Sequence, residues 1–298
     1  MKKVVLAGGT GFIGQYMTER FRELGYTVHI ISRQAPHISW GNKQGIIEAL
    51  DGADLLVNLA GKSVNCRYNE ANKREIMVSR TSTTKQLGEA VQVCEQPPKV
   101  WINSSTATIY RHAEDRPMTE EDGEIGAGFS VDVAKSWEEA FFSLDLPDTR
   151  QIALRIAIVL GPGGGVMTPY QNLVKFGLGG HQGSGRQRFS WIHVEDVFGI
   201  VMFLKDRPHL SGVFNCSAPN PVQNDELMAA IRRAMKVPFG LPAPRWMLEL
   251  GAKVIRTETE LVLKSRWVLP ERLEREGYTF LFPTLDEALR SILSSKKT

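Results

Sequence analysis

The chain begins with an apolar run, Val4, Val5, Leu6, Ala7, that passes without a break into Gly8, Gly9, Thr10, Gly11, Phe12, Ile13, Gly14 and then into an amphipathic stretch carrying Met17, Phe21 and Leu24. That order constrains the fold more than any other feature. A short, wholly apolar run suits a strand buried on both faces, and the stretch after it suits a helix. The glycines between them fit a dinucleotide site: the first permits a sharp strand-to-helix turn, the second lets backbone N–H groups approach a pyrophosphate, and the third lets the helix pack closely on the strand. A pyrophosphate would sit at the positive end of the helix. Three glycines at this spacing also arise in a purely structural strand-turn-helix, but their place after an N-terminal strand favours the nucleotide reading.

The spacing is G-x-x-G-x-x-G, with Thr10 and Phe12 inside it, and it resembles the extended short-chain dehydrogenase/reductase superfamily. The resemblance implies a nicotinamide dinucleotide, held by Gly8, Gly9, Thr10, Gly11, Phe12, Ile13 and Gly14. The end of the second strand, Tyr26 to Ser32, decides which one. A carboxylate there would hold the 2′-hydroxyl of NAD, and a cation would accept a 2′-phosphate. The residues are Ile31, Ser32 and Arg33, so a charge-assisted contact from Ser32 and Arg33 to a phosphate favours NADP(H) over NAD(H). The bland alternative leaves Arg33 as a solvated residue at a strand end.

Composition excludes several other classes. A chain of 298 residues, 42% hydrophobic and 23% charged, can bury a large core in one elaborated domain or two. A net charge of +3 is too small and too dispersed to suggest nucleic acid. Cys66, Cys94 and Cys216 lie far apart without metal spacing, and read as reduced core thiols. No apolar segment approaches the roughly 20 residues of a membrane span, and the N-terminus enters a strand with no signal-peptide core. A cytoplasmic protein acting on a small molecule, with no metal, nucleic acid or membrane partner, is the expectation.

Strands alternate with helices along the chain, which predicts parallel βαβ units with right-handed crossovers. Strands are expected at Lys3 to Ala7, Thr27 to Ile31, Leu55 to Leu59, Val100 to Asn103, Gln151 to Leu160 and Val213 to Cys216. Helices are expected near Ile13 to Leu24, Arg74 to Val93, Ala134 to Ser143 and Val194 to Leu204. After Gly161 the pattern changes to Gly/Pro-rich loops and then to a helical last third, in which Trp246 to Ala252 and Thr284 to Leu293 read as amphipathic packing. The expected fold class is α/β: a doubly wound Rossmann sheet over residues 1–162 with a return strand near 190–218, and a smaller, interleaved C-terminal substrate-side domain over 163–189 and 219–298.

Later segments extend the resemblance over nearly the whole chain. Asp54 to Gly61 looks like the strand and loop beneath the adenosine and nicotinamide ribose, which assigns Leu59, Ala60 and Gly61 to the cofactor. Ser104 to Tyr110 is similar to the serine-rich strand end that closes in Val-Tyr-Gly, which puts Thr106 at the catalytic Ser/Thr. A hydroxyl there could donate to a substrate oxygen; it could equally cap a turn. Superfamily members carry Tyr-x-x-x-Lys, whose lysine lowers a tyrosine pKa of about 10. Here the segment is Val131, Asp132, Val133, Ala134, Lys135: the lysine remains as a second catalytic and ribose-binding candidate, and the tyrosine is valine. Tyr110, Asp132, His193 and Lys135 are the conceivable substitutes. His193, beside Asp196 at a helix start, reads first as a structural residue at the domain junction.

Sugar-nucleotide epimerases typically have Arg-x-x-Asn-Val-Tyr-Gly-Pro. The match, Arg155 to Pro162, has Ile158 and Leu160 in place of the asparagine and tyrosine, which favours a less polar ligand. Phe129 to Glu138 with its Trp137-Glu138, Gly183 to Gln187, Phe189 to Asp196, Phe214 to Pro221, Val268 to Pro270 and Gly277 to Leu289 look like the atypical epimerase-family proteins, which end in a short C-terminal domain of unassigned function. Trp137 reads first as core packing; Arg186 and Arg188 could bind an anion or be solvated; Cys216 has no sequence-local histidine to activate it. The resemblance implies an NADP(H)-dependent oxidoreductase or epimerase acting on a small molecule; the missing tyrosine supports the alternative of a non-catalytic NADP(H) sensor or scaffold. A homodimer is a possible assembly, since two-helix dimerisation is common in the superfamily.

Overall fold

The computed structural model describes residues 2–244 and 263–294. Six strands form one parallel sheet: β1 (Lys3–Ala7), β2 (Thr27–Ile31), β3 (Leu55–Asn58), β4 (Val100–Thr106), β5 (Arg150–Ile156) and β9 (Gly212–Cys216), in the order β2-β1-β3-β4-β5-β9. Val4, Val5, Leu6 and Ala7 are fully buried because helices cover both faces. Val4 and Leu6 join Met17 and Phe21 of α1 (Phe12–Glu23) and Val197 and Val201 of α6 (Val194–Lys205). Val5 and Ala7 join Ile46 of α2 (Lys43–Leu50), Leu87 of α3 (Glu70–Gln92) and Phe141 of α4 (Phe129–Phe142). Each of the Val, Leu, Ile, Met and Phe side chains is worth roughly 1.5–3 kcal/mol when removed from water. The apolar run at the N-terminus is therefore the centre of a doubly wound sheet.

From β1 the chain moves outward to β2 and then back across β1 to β3. The reversal opens a crevice at the carboxyl ends of β1 and β3, where open α/β sheets bind ligands. Two local starts aim side chains into it. The Asn69 Oδ1 accepts from the Asn72 N–H at 2.8 Å, so α3 begins earlier than its apolar periodicity suggests. Gly128, at φ 100°, turns the chain into α4 five residues ahead of the expected Ala134 start.

The expected strand Gln151 to Leu160 is two strands. At Ala157 the N–H turns to the carbonyl of Cys216, and the next, Ile158, bonds Ser190. The partner change ends β5 and starts β6 (Ile158–Leu160), which pairs in parallel with β8 (Trp191–His193). An antiparallel pair, β7 (Arg188–Phe189) with β10 (Val222–Gln223), lies beside it. Around these sits a separate core containing Met167 and Val174 of α5 (Met167–Lys175), Leu227 and Ile231 of α7 (Asn224–Ala234), and Leu285, Leu289 and Ile292 of the last described helix, Leu285–Ser294. Trp246 to Ala252 lies outside the described residues. No described helix is long and apolar enough to cross a membrane.

Candidate nucleotide-binding cleft

The glycines have distinct steric reasons. Gly8 sits at φ +79°, and a Cβ there would come within 2.8 Å of the Leu59 carbonyl carbon and the Ala60 nitrogen, so the loops after β1 and β3 touch backbone to backbone. A Cβ on Gly14 would lie 2.6 Å from the Gly9 Cα, which is the close helix packing expected of the third glycine. Gly11 is exposed, a Cβ there would meet the Gly8 carbonyl oxygen at an ordinary 3.6 Å, and it stands as N-cap of α1 with no side-chain cap; the first turn carries no acidic residue. The first N–H groups of α1 are left for an anion, and no carboxylate competes for the helix dipole.

At the end of β2 the Ser32 hydroxyl lies 3.1 Å from that of Thr10 and accepts the Gln34 N–H. Arg33 follows, exposed to solvent, and no carboxylate stands in Ser32-Arg33-Gln34. The Ala60 N–H donates to the Asn58 side chain at 3.0 Å, which holds the loop beside Gly8. These donors fit a phosphorylated dinucleotide.

Beyond α1 lies a cavity of about 370 Å³ whose wall is continuous with the glycine loop, running from Gly8, Gly11, Phe12, Ile13 and Gly14 past Leu59 to Ser104, Ser105 and Thr106. Ile156, Ala157 and Val159 close one side. Apolar lining was expected from this segment at Ile158 and Leu160, but after the break at Ala157 those two pack into the second core and their neighbours face the cavity. The Thr106 oxygen accepts the Thr108 N–H at 3.1 Å, so it caps the turn, and its own hydroxyl proton remains available to a ligand.

On α4 the cavity face is Phe129, Ser130, Val133 and Trp137, at helical spacing. Lys135 is two residues beyond Val133, on the far side of the helix, and is exposed. Helical register points the Lys135 side chain away from this cavity lining. The suggested substitutes for the tyrosine are also absent from the lining. Asp132 is exposed. Tyr110 is buried, its hydroxyl donating to Asn215 and accepting from Arg155, and burial raises its pKa. His193 caps α6 by accepting the Glu195 N–H at Nδ1, lies 4.0 Å from the Phe282 ring, and is pushed down to about 4 by burial, so it stays neutral.

Behind the wall, Ser105 donates to Glu138 at 2.6 Å, and Glu138 takes a two-point ion pair from Arg155. Trp137 donates to Thr84, which also accepts from Asn58; Asn58 in turn donates to Asn103. Trp137 is thus both packed and part of the cavity wall. Arg186 is exposed, Arg188 stacks 4.4 Å from Trp267, and neither joins the lining. All three cysteines are free; Cys216 is in the core, where burial pushes its thiol far up, while Cys66 and Cys94 are half-buried.

Among the lining residues that escaped the sequence reading are Tyr68 and Arg80. The Tyr68 ring meets Phe129 edge-on at 5.0 Å. A signal for Arg80 existed: Ile76, Thr84, Leu87 and Val91 form the buried stripe of α3, and Arg80 falls in the same file.

Comparison with known proteins agrees with this geometry. Residues 4–216 match the model of the NAD dependent epimerase/dehydratase family, and residues 243–292 match a domain of unknown function. The Bacillus subtilis epimerase family protein YfhF is 30% identical, with 99% of each chain covered. The crystal structure of human epimerase family protein SDR39U1 with NADPH superposes with a TM-score of 0.88 at 32% identity, covering 98% of this chain and 99% of that one. A nucleoside-diphosphate sugar epimerase from Corynebacterium glutamicum gives 0.80 at 28% identity, covering 99% of this chain and 58% of that one. With its doubly wound sheet, glycine loop and C-terminal match, the chain belongs to the NAD dependent epimerase/dehydratase family.

Proposed function

We propose that the protein binds NADP(H) and is an oxidoreductase or epimerase acting on a small molecule. The observation that carries this reading is the unbroken wall from the glycine loop to the hydroxyls of Ser104, Ser105 and Thr106. The uncapped α1 terminus would take the diphosphate, Thr10, Ser32 and Arg33 the 2′-phosphate, and Leu59, Ala60 and Gly61 the adjoining ribose. Bound there, NADP(H) supplies or takes up hydride. Thr106 donates a hydrogen bond to the substrate oxygen, and the apolar wall of Ile156, Ala157 and Val159 excludes water from it. The phenol of Tyr68 is the proton donor in this scheme, since α4 offers neither tyrosine nor lysine to the cavity. The nucleotide region comprises residues 1–162 with the strand near 190–218, and the segments around the second core form the substrate side, 163–189 and 219–298.

A second reading, an NADP(H)-binding sensor without chemistry, is favoured by that same absence on α4. A mostly apolar cavity continuous with the glycine loop favours catalysis instead. Screening carbonyl compounds for loss of NADPH absorbance separates the two. Turnover of any compound that falls in Thr106→Ala and Tyr68→Phe supports the enzyme. Tight NADPH binding with no turnover across the screen supports the sensor.

A further inference from the structure

Arg80 is the one charged side chain in the cavity lining formed by the described residues. Its guanidinium makes one hydrogen bond among those residues, from Nη1 to the Ile76 carbonyl at 3.0 Å, and stacks 5.1 Å from the Trp137 ring. No described carboxylate pairs with it. A cation held against Ile76 and Trp137 without a carboxylate partner is costly, and burial, opposed by the nearby Tyr68 phenol, pulls its pKa down to about 10. Gly61 leaves it room: a Cβ there would stand 3.0 Å from the Arg80 Cζ.

We propose that Arg80 is the anion-binding residue of the substrate half of the cleft, and that the substrate is a carboxylate with an apolar, ring-sized body. This rests on the cleft reading above. Position argues for substrate over cofactor. The dinucleotide's anionic groups already have donors, at the α1 terminus and at Ser32 and Arg33 beyond β1. Arg80 reaches the cavity from α3 where that helix packs against α4, beside Gly61 of the loop after β3, and shares the cavity with Thr106. The planar guanidinium can take a carboxylate by two N–H groups, and Tyr68, Phe129 and Val133 supply an aromatic and aliphatic wall for the rest of the ligand.

Calorimetric titration of the NADPH-loaded protein with benzoate and with its neutral isostere benzamide tests the assignment. Wild type is expected to bind benzoate at least about tenfold more tightly than benzamide. Arg80→Met is expected to bind the two alike while keeping its NADPH affinity within about twofold. Arg80→Lys, which retains the charge without the two-point fork, should show an intermediate preference and serves if the methionine variant does not fold. No benzoate binding, equal binding of the pair by wild type, or a preference that survives in Arg80→Met overturns the proposal. Loss of NADPH affinity in Arg80→Met also overturns it, by assigning the residue to the dinucleotide. Failure of wild type to bind NADPH defeats the cofactor reading instead, and the benzoate and benzamide titration of the free protein still decides the role of Arg80.

Discussion

The two halves of the cleft are built from different materials. Around Gly8, Gly11 and Gly14 the backbone makes the site: a turn at positive φ, a contact with the loop of Leu59 and Ala60, and an uncapped helix end. Across the switch point side chains make it, with Arg80 from α3, Thr106 from β4, Val133 and Trp137 from α4, and Ile156 from the end of β5. A backbone site tolerates little substitution and leaves a local motif. A side-chain wall is assembled from residues as far apart in the chain as Arg80 and Ile156, and its composition is free to follow the ligand.

Substitution at the backbone half should be the most damaging. Gly8→Ala places a Cβ against the backbone of Leu59 and Ala60 at positive φ, a combined strain of about 3 kcal/mol. Urea unfolding should show a loss of that order together with collapse of NADPH binding. Unchanged affinity would remove the distinction between the halves. Next comes the support behind the side-chain wall. Glu138→Ala strands Arg155 at an ion pair whose side chains are only 11% and 12% exposed, and should cost roughly 3 kcal/mol in the same unfolding assay, with nucleotide affinity nearly intact. Turnover of a substrate found by screening should fall by about 10² in Thr106→Ala and recover largely in Thr106→Ser, the loss expected of one hydrogen-bond donor. The smallest effect belongs to Lys135→Ala, where kcat and NADPH affinity should stay within about twofold of wild type, because the side chain is on the solvent side of α4.

The same contrast explains what could be read from the residues alone. The glycine loop, β1 to β4 and the carboxylate-free end of β2 follow from short-range rules: an apolar run, a turn that only glycine permits, a strand end read directly from its residues. The α4 face did not. Reading that helix from Ala134 ignored the turn at Gly128, and a side chain two helical positions from the cavity stripe faces away from it, as Lys135 does. The strand after Gln151 misled for a similar reason. Its apolar pattern runs on through Leu160, but at Ala157 the hydrogen-bond partners change from β9 to the segment at Ser190, and local sequence carries no sign of where a partner ends. Arg80 was legible in principle, as a cation in a buried helical stripe, and Tyr68 carried no signal short of the fold itself.

The account turns on a phosphorylated nicotinamide dinucleotide in the backbone-built half. Fluorescence titration of wild type and Arg33→Ala with NADPH and NADH tests that most directly. Wild type should prefer NADPH, and Arg33→Ala should lose roughly tenfold in NADPH affinity with little change toward NADH, as removal of one charge-assisted phosphate contact requires. Binding of neither nucleotide, or equal affinities untouched by the substitution, would contradict it.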